Sequence, residues 1–145
     1  MNIPINWDEV NNNIPIFNFN GDIKQAKIVD VYDGDTVKVV FPVSNKLYKF
    51  NCRIIGVDTP EIRNKNIEIK KYGIHVRDKL REKILNKVVM VECHDFDKYG
   101  RLLIDIKDNL NIKISEWLIE NNYAFAYDGG KKKDWNDYLE IINNF

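Results

Sequence analysis

From Gln25 to Phe41 apolar and polar residues alternate around a polar break. Ile28, Val29 and Val31 come before it, and Val37, Val39 and Phe41 after it. A period near two predicts strands that bury one face, and Asp33-Gly34-Asp35 between them predicts the turn. Pro42 to Asn45 reads as a second turn. Tyr48 to Val57 predicts a third strand, with Tyr48, Phe50, Cys52 and Ile54 on one face and Lys49, Asn51 and Arg53 on the other. Asp58 to Lys71 is rich in charge and reads as a loop. Tyr72, Val76, Leu80 and Ile84 then recur four apart, which predicts a helix from Tyr72 to about Asn86. Val88–Cys93 and Arg101–Ile106 read as strands, with a hairpin turn at Asp108-Asn109. Ser115 is placed to cap a short helix ending near Asn121, with Ile114 and Ile119 as a hydrophobic staple. Asn121 or Asn122 can end it in the left-handed conformation. Asp134 is placed to cap a last helix carrying Trp135, Tyr138, Ile141, Ile142 and Phe145 on one side. Five strands with helices inserted and appended predict an α+β domain built on a small barrel.

Composition narrows this. A chain of 145 residues, 44% hydrophobic and 12% aromatic, suits one domain with one core and excludes a disordered chain. Asparagine is dense up to about Asn20, so residues 1–22 are expected to form a loosely ordered arm ahead of a domain over 23–145. No apolar run approaches the ~20 residues of a membrane span. No basic stretch followed by an apolar one opens the chain, so an intracellular, cytoplasmic protein is expected. Cys52 and Cys93, both in strand-like runs, are expected to be buried thiols.

The 22 basic and 22 acidic residues cancel, which argues against binding nucleic acid by bulk charge alone. Charge is nonetheless uneven. Arg63, Lys65, Lys70, Lys71, Arg77 and their neighbours up to Lys87 outnumber the acids around them, and Lys131–Lys133 form a second cluster. A solvated surface explains either cluster as well as a phosphate contact does.

Three segments carry candidate chemistry: Asp33-Gly34-Asp35-Thr36, Arg53 through Glu61, and Lys98-Tyr99-Gly100-Arg101. Alone, each has an ordinary reading as a hairpin turn, a proline turn or a strand entry. Together they hold carboxylates for a hard cation, a carboxylate to activate water, and two arginines to hold a phosphate. Phosphodiester hydrolysis builds negative charge on the phosphoryl oxygens, and planar guanidinium forks neutralise it in a fixed geometry that lysine does not reproduce.

The chain resembles the staphylococcal (micrococcal) nuclease, or thermonuclease, family. The likeness runs from about Lys27 to Tyr127. It rests on Asp33-Gly34-Asp35-Thr36-Val37-Lys38, Arg53 through Glu61, Glu68–Gly73 with Lys71-Tyr72-Gly73, and Asp97-Lys98-Tyr99-Gly100-Arg101. The resemblance implies a five-stranded OB-fold barrel with about three α-helices. It also implies a calcium-dependent endonuclease that cuts DNA and RNA with little sequence specificity and leaves 3′-phosphate ends. On it, Asp35, Asp58 and the Thr59 carbonyl match the Ca²⁺ ligands, and Glu61 matches the general base. Arg53 and Arg101 match the arginines at the scissile phosphate. Lys98 and Tyr99 match residues that hold a terminal phosphate, and Tyr127 a tyrosine near the nucleotide. Tyr127-Asp128-Gly129-Gly130-Lys131 departs from the family's tyrosine-rich segment. The implied partner is DNA or RNA, no membrane is implied, and a monomer is expected. The rival reading is a non-catalytic OB-fold module that binds nucleic acid or protein. Such relatives lose the acids or arginines, all of which stand here.

Overall fold

The computed structural model describes residues 3–138 and 142. Its centre is a closed barrel of five strands in the order β1 (Ile23–Asp33), β2 (Thr36–Val43), β3 (Lys46–Ile54), β6 (Leu102–Lys107), β5 (Val88–Phe96). All neighbours run antiparallel except β3 and β6, and β5 pairs back with β1. Two two-residue strands, β4 (Val57–Asp58) and β7 (Phe125–Ala126), pair outside the barrel. Closure leaves the barrel without a free edge.

Most inward positions follow the alternation: Val37, Val39 and Phe41, Cys52 and Ile54, Val89, Val91 and Cys93, and Leu102, Ile104 and Ile106 are buried. In β1 a register slip between Ile28 and Asp30 puts both Ile28 and Val31 inside, and Tyr48 near the start of β3 is exposed. Each buried side chain contributes roughly 1.5–3 kcal/mol on leaving water. Both cysteines are free and buried. Phe41 and Phe50 stack with ring centroids 4.4 Å apart. Phe19 is edge-on to both, so the chain ahead of β1 is tied to the barrel there. Residues 3–18 are exposed, with one 3-10 turn at Trp7–Glu9.

Helix α1 runs Ile67–Ile84, starting five residues before the expected Tyr72. The Asn66 side chain accepts from the Glu68 and Ile69 amides and so starts the helix inside the charged stretch. Ile69, Tyr72, Val76, Leu80 and Ile84 form its buried stripe, and Arg81 Nε donates to the Val31 carbonyl across the contact with β1 (3.0 Å). Helix α2 runs Ile114–Glu120. Its N-cap is Lys113, without a side-chain bond, and not Ser115. Ser115 lies inside the helix, buried, and donates to Asp105 Oδ2 (2.8 Å). That hydroxyl fastens the helix to β6. Asn122 takes the left-handed conformation (φ 60°) after the helix, as expected. The helix expected after Asp134 lies largely outside the described residues. The described part, Trp135–Tyr138, is a 3-10 turn, with the Asp134 side chain accepting from the Asn136 amide. Among the described residues no helix is long and apolar enough to cross a membrane.

Candidate active site

The β1–β2 turn is held by Asp33, which accepts from the Gly34 amide (2.9 Å), and by Thr36 Oγ1, which donates to Asp35 Oδ1 (2.9 Å). Gly34 is needed for close approach. A Cβ there would lie 2.8 Å from Val76 Cγ1 of α1 and 3.0 Å from the Thr59 side chain. The turn therefore packs directly against the segment that carries Asp58, Thr59 and Glu61.

Gly73 plays the matching part on the helix. A Cβ at Gly73 would lie 2.7 Å from the Pro60 carbonyl oxygen and 2.9 Å from the Glu61 carbonyl carbon. The Lys71-Tyr72-Gly73 motif thus seats the Glu61 loop on α1. Tyr72 is buried beside it, with its hydroxyl donating to the Asn122 carbonyl (2.6 Å).

Arg53, near the end of β3, is held by three groups. Nη1 donates to the Ile54 carbonyl (3.0 Å) and Nη2 to the Val57 carbonyl (2.9 Å), while Nη2 also stands 3.5 Å from Asp35 Oδ2. Arg101 is positioned from the other side. In the loop Asp97–Arg101, Asp97 Oδ1 accepts from the Tyr99 and Arg101 amides, and Asp97 Oδ2 accepts from Arg101 Nε (2.8 Å). Gly100 closes this loop at φ 82°. Burial alone would raise the Asp97 carboxyl, but these bonds and the Arg101 charge hold it below its usual range.

Asp35, Arg53, Glu61 and Arg101 line one cavity of about 260 Å³. Asp58 and Thr59 line an adjoining one and share Glu61 and Lys132 with the first. Asp58 is buried and near enough to Asp35 for the two charges to repel. Burial raises the Asp58 carboxyl most, Lys132 lowers it, and Asp35 raises it further. Of the remaining residues expected at the site, Tyr99 is exposed with its ring under the Arg101 guanidinium (5.8 Å), and Lys98 Nζ lies 5.2 Å from the same ring. Tyr127 sits beside Arg53 (5.8 Å) and lines two neighbouring hollows.

Five further residues line the cavity: Tyr32, Asp33, Thr36, Arg63 and Lys132. Asp33 lies against Asp35 and Glu61. Burial first, then Asp35, pushes its carboxyl up to about 7. Tyr32 and Arg63 form part of the wall, and Lys132 Nζ lies 3.5 Å from Asp58 Oδ1. Asp33 and Thr36 belong to the segment Asp33-Gly34-Asp35-Thr36, and Arg63 and Lys132 to basic runs. Only the folded chain brings them to this rim.

The donor set suits a hard cation. Asp35 and Asp58 are two mutually repelling carboxylates, and the Thr59 hydroxyl, close against Gly34, is buried without a hydrogen-bond partner among the described residues. Among the described residues neither cavity is lined by His or Cys. Among the described residues no group of three His, Cys, Asp or Glu side chains is placed to hold a metal ion, so an ion held here would take much of its shell from backbone oxygen and water.

The staphylococcal nuclease homologue family model matches residues 51–143. The chain belongs to the staphylococcal nuclease family. A thermonuclease of Staphylococcus hyicus is 31% identical over 102 residues, covering 67% of this chain and 58% of that one. An uncharacterized protein of Methanocaldococcus jannaschii is 33% identical over 126 residues (70% and 58%). An uncharacterized endonuclease of Escherichia coli is 26% identical over 103 residues (71% and 61%). The chain spans about three fifths of the length of these curated relatives. The mixed five-stranded barrel with its two described helices is consistent with the staphylococcal nuclease fold.

Proposed function

We propose that this chain is a calcium-dependent endonuclease that hydrolyses phosphodiester bonds of DNA and RNA with little sequence specificity and leaves 3′-phosphate ends. The observation that carries the reading is the shared cavity. Besides Asp33 and Arg63, it gathers Asp35 for a cation, Glu61 for water and the Arg53 and Arg101 guanidinium groups, with Asp58 as a second cation carboxylate adjoining. Nucleases of the family use Ca²⁺. Here Asp35, Asp58 and the Thr59 carbonyl would hold it. Bound, it supplies positive charge against the phosphoryl oxygens.

The chain's own residues account for the rest. Glu61, on a loop seated by Gly73, takes a proton from the attacking water. Water oxygen joins phosphorus, the bond to the 5′-oxygen breaks, and that oxygen takes a proton from solvent water, while Glu61 returns its own to solvent. Arg53 and Arg101 balance the charge that builds between these events, and both are fixed beforehand by the carbonyls and by Asp97, so little reorganisation is needed. Lys98 and Tyr99 extend the binding surface past Arg101.

The test is incubation with single- and double-stranded DNA and RNA, in Ca²⁺ and in chelator. Cleavage in Ca²⁺ that stops with chelator is expected, with products that a 3′-phosphatase converts to extendable ends. Binding without cleavage under any divalent ion would put a non-catalytic nucleic-acid module in its place.

A further inference from the structure

Each of the three arginines that line the catalytic cavity stands beside a tyrosine ring. Arg53 is 5.8 Å from Tyr127, Arg101 is 5.8 Å from Tyr99, and Arg63 is 5.5 Å from Tyr32. The first two pairs belong to the site already described. The third has no role in it.

Tyr32 lies at an irregularity in the pairing of β1 with β2. The register between β1 and β2 slips between Val31 and Asp33, which pair with Val37 and Thr36, so Tyr32 is the extra residue of a bulge. Bulges are common beside active sites. Here Val31 and Asp33 are buried while Tyr32 stays exposed on the cavity wall (39%). Arg63 follows Glu61 by two residues on the same loop. No carboxylate is paired with it among the described residues, although acids crowd the cavity beside it. An exposed cation and an exposed ring at the mouth of a phosphate-binding cavity offer what a nucleotide presents in sequence. The ring suits the face of a base, and the fork suits the next phosphate.

We propose that Tyr32 and Arg63 form a further nucleotide subsite, which holds a base and phosphate of single-stranded nucleic acid beyond the scissile link. This rests on the nuclease reading above and adds to it where the strand runs. The ring reads no base edge, so the subsite adds affinity with little sequence preference. Its contribution to a longer strand should also weaken with salt, because Arg63 contacts a phosphate.

The test compares two probes, a thymidylate octamer and thymidine 3′,5′-bisphosphate. Binding is measured in Ca²⁺ on the Glu61→Gln background, to prevent cutting. Tyr32→Ala and Arg63→Gln should each weaken the octamer about five- to a hundred-fold and leave the bisphosphate within about twofold. Tyr32→Phe should keep the octamer affinity, because it keeps the ring. Thermal unfolding of each variant should match the parent. Octamer affinity unchanged in both Tyr32→Ala and Arg63→Gln would overturn the subsite while leaving the nuclease reading in place. Equal losses for both probes would also overturn it, since the effect would then lie in the central cavity. A parent that neither binds the octamer nor, with Glu61 restored, cuts it would remove both readings together.

Discussion

Replacing Arg53 or Arg101 by lysine separates what the fork does for the fold from what it does for the reaction. Arg53→Lys keeps the charge, but one ammonium cannot reproduce two parallel donors to the Ile54 and Val57 carbonyls while also facing Asp35. At least one carbonyl at the β3–β4 junction loses its charged donor. Bonds to charged groups contribute about 1.5–3 kcal/mol each. Arg53 is only partly buried, so a loss of about 1–2 kcal/mol is expected, or roughly 2–8 °C in Tm for a chain of this size. Arg101→Lys differs. Its guanidinium is held by the single Asp97 carboxylate at a more exposed site, and Asp97 keeps the Tyr99 and Arg101 backbone amides. Its cost in stability should be under about 1 kcal/mol. Both variants should lose about 10²–10³ in cleavage rate, the usual result of removing one preorganised charge donor. Initial rates on single-stranded DNA in Ca²⁺, paired with thermal unfolding in chelator, give both readouts. Near-parental rates in both lysine variants would mean that the arginines act only through bulk charge. A larger Tm loss in Arg101→Lys than in Arg53→Lys would refute the structural half of the reasoning.

Gly73→Ala should lower both Tm and cleavage rate, because its Cβ meets the Pro60 and Glu61 backbone at under 3.0 Å and the Glu61 loop must lift off α1; full activity would show that the loop has slack. Lys132→Met should tighten Ca²⁺ binding by about two- to five-fold in calorimetry, since the exposed Lys132 ammonium competes for Asp58; weaker binding would contradict this. Asp108 accepts from the Leu110 and Ile112 amides, with Lys83 alongside. Burial acts to raise its carboxyl, but these partners hold it below the usual range. A depressed folded-state pKa contributes stability above the unfolded value near 3.8, and that stability is lost as pH falls through the lower folded value. The stability gap between parent and Asp108→Asn should therefore be full at neutral pH and close below about pH 4 in acid titrations; a gap that widens on acidification would reverse the sign.

The barrel was legible because its inward positions alternate, and alternation survives without knowledge of partners. The stripe Tyr72, Val76, Leu80 and Ile84 placed α1 for the same reason. Its first turn was hidden because Asn66 and its charged neighbours look like a loop until the cap bonds form. Ser115 misled in the opposite sense. It is a good cap by type, yet its hydroxyl is bound to Asp105, ten residues away. The β4–β7 pair is two residues long and long-range, beyond any periodic signal. At the site, Asp35, Arg53, Asp58, Glu61 and Arg101 could be named because they sit in short ordered motifs. Tyr32 is an outward position of β1 like any other until the Glu61 loop folds beside it, and Lys132 reaches Asp58 from a distant loop, so neither position leaves a local trace. The role of Gly73 is a matter of backbone contact, which no spacing reveals.

The most direct measurement is the initial cleavage rate of Glu61→Gln on single-stranded DNA at saturating Ca²⁺, with oligonucleotide affinity and Tm measured alongside. The substitution keeps the size and shape of a side chain on an exposed loop. The account predicts a rate lower by about 10²-fold or more, from loss of the base, with affinity and Tm close to those of the parent, since Arg53, Arg101 and the cation carboxylates are untouched. A Glu61→Gln protein that cuts as fast as the parent would contradict the assignment of this cavity as the catalytic site.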